Sequence, residues 1–562
     1  MNDIRRTILW VIFGFSMVLL WDQWQVSNGN KPTFLPSNKA AVVAGAPAAG
    51  SANGLPAAAN GGTANAAGAV PVQGAAAPVG EKVSITTDVF KADIDSQGGT
   101  LSNLQLLKFA GEVDHTKGVL LMEDDSPATR YLAQTGLLNK VDTGDKFPNH
   151  LTLMAAKAGP RELADGQNTL EVQFESPAAG GLKYIKTYQF KRGDYSIHVK
   201  HDIVNVSDQP RDAQLYLQFL RHGTVKAATM FGTSTFTGPA VYTEEKKFHK
   251  IDFPDIDKNK ANLPVPANNG WVAMVQHYFV SAWLLNGPSG AQSQREFRVG
   301  SLGNNLYTVA MVLPLDKLAP GATHTIDSTL YAGPEEEKTL EALAPGLELV
   351  KDYGIFTIIA KPLYWLLSKL HGLIGNWGWS IVALVVLLKA IFYPLNAKAY
   401  GSMAKMKGIS PKITAMRERL KDKPQEMQQE MMRIYKEEKV NPMGGCFPIV
   451  IQIPVFMGLY WVLLSSVEMR NAPWALWIHD LSTPDPWFIL PLVMTATSMF
   501  QVWLNPTPPD PMQAKLMWIM PLVFSVMFFF FPAGLVMYWI TNNVLSIAQQ
   551  WFINKRLGVL GK

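Results

Sequence analysis

An apolar run from Gly378 to Tyr393 carries a single charge, Lys389, and is long enough to enter a lipid bilayer. In hydrocarbon the backbone polar groups must bond to one another, so a stretch of this kind folds as a helix. Four further apolar stretches follow, at 446–465, 487–504, 514–531 and 535–553. Several are only about 18 residues long, near the lower limit for crossing a bilayer, so local thinning of the membrane is expected around them. Charged residues make up 17% of the chain, against about 25% in ordinary soluble proteins. A polytopic α-helical membrane protein with a soluble insert is predicted.

Lys389 then becomes the functional question. A charge inside hydrocarbon costs about 2.5–3.5 kcal/mol on insertion scales and marks a polar path by default. The competing reading is a lysine near a helix end that snorkels to the interface. No candidate span offers it a carboxylate. Uncharged polar residues do recur in the spans, at Gln452, Thr495, Thr497, Ser498, Gln501, Thr541, Asn542, Asn543, Gln549 and Gln550. Any one of them could simply join two helices, at about 0.6 kcal/mol. Together with an unpaired lysine they suffice to line a water-filled groove.

The net charge of +5 is concentrated beside the spans. Between Asn396 and Val440 there are eleven Lys/Arg against six Asp/Glu, and Lys555, Arg556 and Lys562 close the chain. Basic residues in short segments flanking spans mark the cytoplasmic side. They argue for topology rather than for nucleic-acid binding. Arg5 and Arg6 precede the apolar stretch 7–21, which ends at Trp21 and Trp24 without a nearby small-residue cleavage pattern. Residues 1–27 therefore read as an uncleaved signal anchor, making six spans with both termini cytoplasmic. Residues 28–82, uncharged between Ala40 and Gly80 and dominated by Ala, Gly and Pro, read as a flexible tether.

Residues 83–349 change character. Period-two alternation in Leu170–Phe174, Lys183–Phe190 and Tyr195–Lys200, punctuated by turns such as Gln97-Gly98-Gly99, predicts an all-β sandwich closed by a helix at 335–349. His198 and His201 lack a third metal ligand nearby and read as solvated strand histidines. Cys446 is the only cysteine. It excludes a disulfide framework or cysteine metal cluster and reads as an inert thiol at a helix start. Residues 350–371 alternate apolar positions with Lys361 and Lys369 and contain Pro362, which predicts an amphipathic helix in the outer interface. The core at 372–556 includes a cytoplasmic helical hairpin at 396–440, broken near Pro424, and 557–562 form a tail. Met403, Met406, Met416, Met427, Met431 and Met432 give that hairpin a soft apolar face. They either pack the pair or greet varied hydrophobic segments. Nucleotide-binding loops, zinc motifs, catalytic triads and intramembrane acidic relays are missing from the sequence, so neither enzyme chemistry nor proton-coupled transport is expected.

The C-terminal half is similar to the YidC/Oxa/Alb family of membrane protein insertases. The residues carrying the resemblance are Asn376–Ser380, Tyr393-Pro394-Leu395, Ser402–Met406, Pro411-Lys412-Ile413, Lys439–Pro448, Ala475–Leu481, Phe531–Leu535 and Tyr538-Trp539. The anchor, tether and β domain resemble the Gram-negative type, whose exported domain is a supersandwich similar to sugar mutarotases. The resemblance implies an insertase and chaperone of the bacterial inner membrane, without cofactor, holding a positively charged groove that receives incoming transmembrane segments. It implies that Lys389, Gln452, Tyr538 and Trp539 line that groove. It further implies that Met403, Lys405, Met406, Lys407, Arg417, Met431 and Arg433 meet the ribosome or nascent chain. The partners it implies are nascent membrane proteins, the bilayer, the Sec translocon (SecYEG and SecDF), the ribosome and the signal recognition particle receptor, with no sequence-specific nucleic acid. The family usually places arginine where this chain has Lys389, so charge is kept and the guanidinium fork is lost. Val385 occupies a position that is often polar in relatives. Rival readings are a small-molecule transporter or channel, which predicts inverted repeats or more buried charges, and a membrane-anchored sugar-binding or sugar-processing protein.

Overall fold

The computed structural model describes residues 80–111, 114, 116–140, 146–224, 235–285, 293–421, 423–438, 447–505 and 511–556. The expected anchor, nearly all of the tether, Cys446 and the tail lie outside the described residues. Two compact units meet in sequence at Asp352 and Tyr353.

The alternation read between residues 82 and 334 becomes two antiparallel sheets. The first runs through Lys82–Thr86, Phe90–Asp95, Thr100–Ala110, Tyr131–Asn139, Ala213–His222, Leu306–Pro314 and Glu296–Ser301, with Gly118–Met122 paired onto Thr100–Ala110. The second runs through Lys247–Lys250, Gly238–Thr243, Trp271–Gln276, Phe279–Leu285, Thr323–Pro334, Ser196–Asn205, Leu182–Lys191, Thr169–Glu175 and Ala155–Ala156. In Leu182–Lys191 every second residue is buried, namely Leu182, Tyr184, Lys186, Tyr188 and Phe190, so one face of the strand packs inward. Cross-sheet bonds tie the layers into a sandwich: the Lys186 ammonium donates to the carbonyl of Thr135 at 3.1 Å, and the Trp283 indole to that of Gln218 at 3.3 Å.

The expectation of solvated histidines fails at His201, which is fully buried. Residues 198 and 201 are an odd number apart, so the strand sends their side chains to opposite faces. His201 points inward, 2.6 Å from the Tyr184 hydroxyl and 2.9 Å from that of Ser328. Burial holds its imidazole well below the usual range, with the Lys186 charge adding to the effect. The helix expected at 335–349 is also divided. Two short helices accompany the sandwich, α1 (Phe253–Asp257) between two of its strands and α2 (Glu337–Leu343) after the last one. Beyond α2, Pro345 and the left-handed Gly346 interrupt the chain, and only a 3₁₀ turn, Leu347–Val350, continues.

The second unit is helical: α3 (Thr357–Ile374), α4 (Trp377–Ile391), α5 (Tyr393–Arg419), α6 (Pro424–Glu437), α7 (Phe447–Ser465), α8 (Ile489–Leu504), α9 (Pro511–Phe528) and α10 (Ala533–Arg556). Among the described residues no single helix is both long and apolar enough to cross a membrane. The 15 residues of α4 reach about 22 Å at 1.5 Å per residue, short of the roughly 30 Å hydrocarbon layer. Taken with the start of α5 as a pair bent by 65°, it meets the test of length and composition. The bend falls at Phe392, and Pro394 then opens α5, where its missing amide hydrogen is of no consequence. The hairpin's first helix thus begins at Tyr393, three residues earlier than expected.

Central to this unit is α10, which packs on α4, α5, α7 and α8. Leu535, Val536 and Tyr538 join Ile381, Leu384, Leu459 and Leu463 in one apolar core. α3 contributes Ala360, Leu363, Tyr364 and Leu367 to that core and leaves Ile358, Trp365 and Leu373 exposed. Large apolar side chains also cover the outer faces of α8, α9 and α10, among them Phe500, Trp503, Ile519, Val523, Val526 and Phe552. An apolar exterior of this extent suits a protein solvated by lipid.

Candidate functional site

Asn376 fixes the start of α4. Its carboxamide oxygen accepts the amide of Trp379 at 3.0 Å, while its nitrogen donates to the carbonyls of Pro473 (3.1 Å) and Trp474 (3.3 Å). From this anchored end the helix runs three turns inward to Lys389, which is only 7% exposed. The ammonium donates to the Ser546 hydroxyl on α10 at 2.7 Å. No described carboxylate lies within ion-pair reach of it.

A cavity of about 30 Å³ adjoins the lysine. Its walls come from Val385, Leu388, Lys389 and Phe392 at the end of α4, Leu395 and Asn396 on α5, Gln452 and Val455 on α7, and Tyr538 and Asn542 on α10. Gln452 is held by two bonds from its amide nitrogen, to the Asn542 oxygen at 2.6 Å and to the Tyr538 hydroxyl at 3.2 Å. Asn396 donates to Gln549 at 3.4 Å, and Gln549 donates back to the carbonyl of Lys389 at 3.3 Å. Five of its lining residues are therefore apolar, and three amides, a phenol and one cation make up the rest.

Lys389, Gln452 and Tyr538 are brought together here. Trp539, one position further along α10, turns away: its ring lies against Phe456 at 4.8 Å and Phe528 at 5.2 Å. Adjacent helix positions differ in direction by about 100°, so Tyr538 and Trp539 cannot share one wall. Asn396 and Ser546 escaped notice as site residues. The trace of Ser546 in the sequence is a polar stripe, Asn542, Ser546, Gln549, at helical spacing along a span. Asn543 and Gln550 form a separate seam, donating to Ser498 at 2.8 Å and to Asn505 at 3.0 Å.

The hairpin residues occupy a second location. Ile409, Ile413 and Met416 form its core, with Met406, Met427, Met431, Ile434 and Tyr435 packed around them. Met406 and Met431 thus pack the helix pair, whereas Met432 is half exposed. Lys405 and Arg433 are exposed and Arg417 is half-buried. Arg433 pairs with Glu430 at 2.9 Å and with Glu437 at 3.3 Å. The side chains of Met403 and Lys407 lie outside the described residues.

Comparison with known proteins covers the whole chain. The family model for the YidC periplasmic domain matches residues 82–366, and that for the 60 kDa inner membrane protein matches residues 369–559. The membrane protein insertase YidC of Cupriavidus necator is 56% identical over 563 residues, spanning 99% of this chain and 98% of the relative. That of Ralstonia nicotianae is 53% identical over 563 residues, with 99% and 98% covered. A crystal structure of an active YidC insertase, 19% identical, aligns over 84% of this chain and 94% of its own at a TM-score of 0.37. With two family models matching most of its length and relatives above half identity end to end, this chain belongs to the YidC family of inner-membrane protein insertases.

Proposed function

We propose that this insertase works by partitioning, with Lys389 as the cation that draws a polar or acidic tail of the incoming protein into the cavity between α4, α5, α7 and α10. The observation that carries this reading is that, among the described residues, the ammonium pairs with a neutral hydroxyl and no carboxylate. With no described carboxylate beside it, the ammonium keeps its charge uncompensated for a substrate. A substrate carboxylate 4 Å from the ammonium gains about 4 kcal/mol at an effective dielectric of 20. That is comparable to the cost of placing a charge at mid-membrane. The apolar part of the substrate meanwhile leaves sideways into lipid, and the membrane potential, at about 2.3 kcal/mol per charge per 100 mV, pulls an acidic tail outward.

Within this scheme Gln452, Asn542, Asn396 and Tyr538 hold the tail and its water, while Val385, Leu388 and Val455 keep part of the wall dry. The chain has six spans counting the anchor 1–27, with both termini and the hairpin cytoplasmic and the β-sandwich periplasmic. The basic balance of 396–440 supports that orientation. The exposed Lys405 and Arg433 suit contact with a ribosome, with the signal recognition particle receptor and the Sec translocon as further partners. Domains follow as 83–349, 350–371 and 372–556.

Reconstitution into liposomes with a single-span substrate bearing an acidic N-terminal tail tests the reading. Lys389→Arg is expected to insert this substrate as the parent does, and Lys389→Glu to lose at least tenfold. Equal insertion by Lys389→Glu would refute the role of the cation.

A further inference from the structure

The Ser546 hydroxyl sits at a crossing of three helices. It donates its one hydrogen to the carbonyl of Asn542, a turn earlier on α10, at 2.7 Å. It accepts from the Lys389 ammonium on α4 at 2.7 Å. The phenol of Tyr400 on α5, itself buried, lies near the same hydroxyl. A hydroxyl has one hydrogen to donate and two lone pairs to accept with, so with its hydrogen given to Asn542 it meets the lysine as an acceptor. The side chain is 2% exposed and does not border the cavity, whereas Lys389 does. Its hydrogen is locked on its own backbone, so it can offer the lysine only lone pairs, with no charge. An ammonium carries three donors, and this contact occupies one of them.

We infer that Ser546 is a positioning residue that parks Lys389 at the cavity edge while leaving its charge free, and that the neutrality of this partner sets the preference for acidic over uncharged substrate tails. The inference rests on the proposed role of Lys389. An aspartate at 546 would have the same reach and would close an ion pair inside the protein, and the substrate carboxylate would then meet a cancelled charge. An alanine would release the ammonium to wander among the cavity's amide oxygens. A threonine keeps the acceptor.

The measurement is insertion by the full chain in liposomes of two matched single-span substrates, one with an acidic tail and one with an uncharged polar tail, read as the acidic-to-neutral ratio. A merely structural role for Ser546 lowers both insertions together and leaves the ratio unmoved. Ser546→Asp is expected to lower the ratio at least tenfold, Ser546→Ala about threefold, and Ser546→Thr to restore it. An unchanged ratio in Ser546→Asp overturns the inference. Should Ser546→Asp fail to assemble, Ser546→Ala decides alone, and an unchanged ratio there overturns it equally. Lys389→Gln run alongside separates the two layers. If Lys389→Gln keeps the parental ratio, the cation reading itself fails. If it loses the ratio while Ser546→Asp and Ser546→Ala keep it, only the role of Ser546 fails.

Discussion

Lys186 offers a quantitative test of how the β-sandwich is held together. Its side chain is fully buried between the sheets, and its ammonium donates to the backbone carbonyls of Gly98 and Thr135. Burial pushes its pKa down from 10.5 to about 7. Because each tenfold change in proton affinity is worth about 1.36 kcal/mol, this depression corresponds to about 5 kcal/mol. The direction follows from proton counting. Between pH 7 and 10.5 the unfolded chain holds the lysine proton more tightly than the folded one, so stability rises with pH across that window. Below pH 7 both states are protonated and the contribution is constant. From pH 7 to pH 9 the expected gain from this residue is about 2 kcal/mol. His201 and His150 are also held low by burial, His150 to about 3. Each remains neutral in the fold, and each costs stability only as pH drops below its ordinary 6.5, outside the window. Lys186→Met removes the proton and also strands two carbonyls, each costing about 1–3 kcal/mol. The absolute stabilities at pH 7 therefore nearly cancel, and the pH slope is the decisive quantity. The assay is urea unfolding of residues 80–352, followed by fluorescence of the buried Trp271 and Trp283, for parent and Lys186→Met at pH 7 and pH 9. The difference between the two proteins should change by about 2 kcal/mol over that span. Parallel curves would refute the burial argument.

Two substitutions probe the helical unit. A Cβ at Gly378 would lie 2.4 Å from Cδ1 and 2.5 Å from Cγ of Trp474, the near part of a bulky side chain. Gly378→Ala gains about 1 kcal/mol in helix propensity but should still destabilise, because overpacking of this kind costs about 1–3 kcal/mol. A raised melting temperature in detergent would contradict the close packing. The buried Asp485 carboxylate accepts the indole of Trp477 at 2.9 Å, the amide of Trp487 at 3.0 Å and that of Leu490 at 2.7 Å just inside α8. Asp485→Ala leaves three donors unmet, for a loss on the order of 3 kcal/mol. Asp485→Asn should recover part of it, and identical melting of the two variants would argue against the triple acceptor.

The apolar runs and the period-two alternation were legible because each reflects one repeating demand. A helix in lipid must be apolar along its length, and a half-buried strand must alternate. Lys389 and Gln452 stood out for a related reason, since a polar residue among apolar neighbours is costly and calls for an explanation. Trp539 did not follow. Its neighbour Tyr538 faces the cavity, but which of two adjacent aromatic residues does so depends on how α10 is rotated against α4 and α7. The burial of His201 was hidden similarly, because sequence gives the alternation of a strand but not the sheet that will cover it.

By itself, then, the amino-acid order determined the classes of structure, the place of the unpaired lysine and the family resemblance, all of which rest on local pattern or motif. Tertiary structure alone decided the 65° bend after α4, the cavity walled by four helices and the choice of Ser546 as the partner of Lys389. Those two residues are 157 positions apart in the chain. Their contact is set by how α4 and α10 pack, a property of facing surfaces that no window of sequence contains.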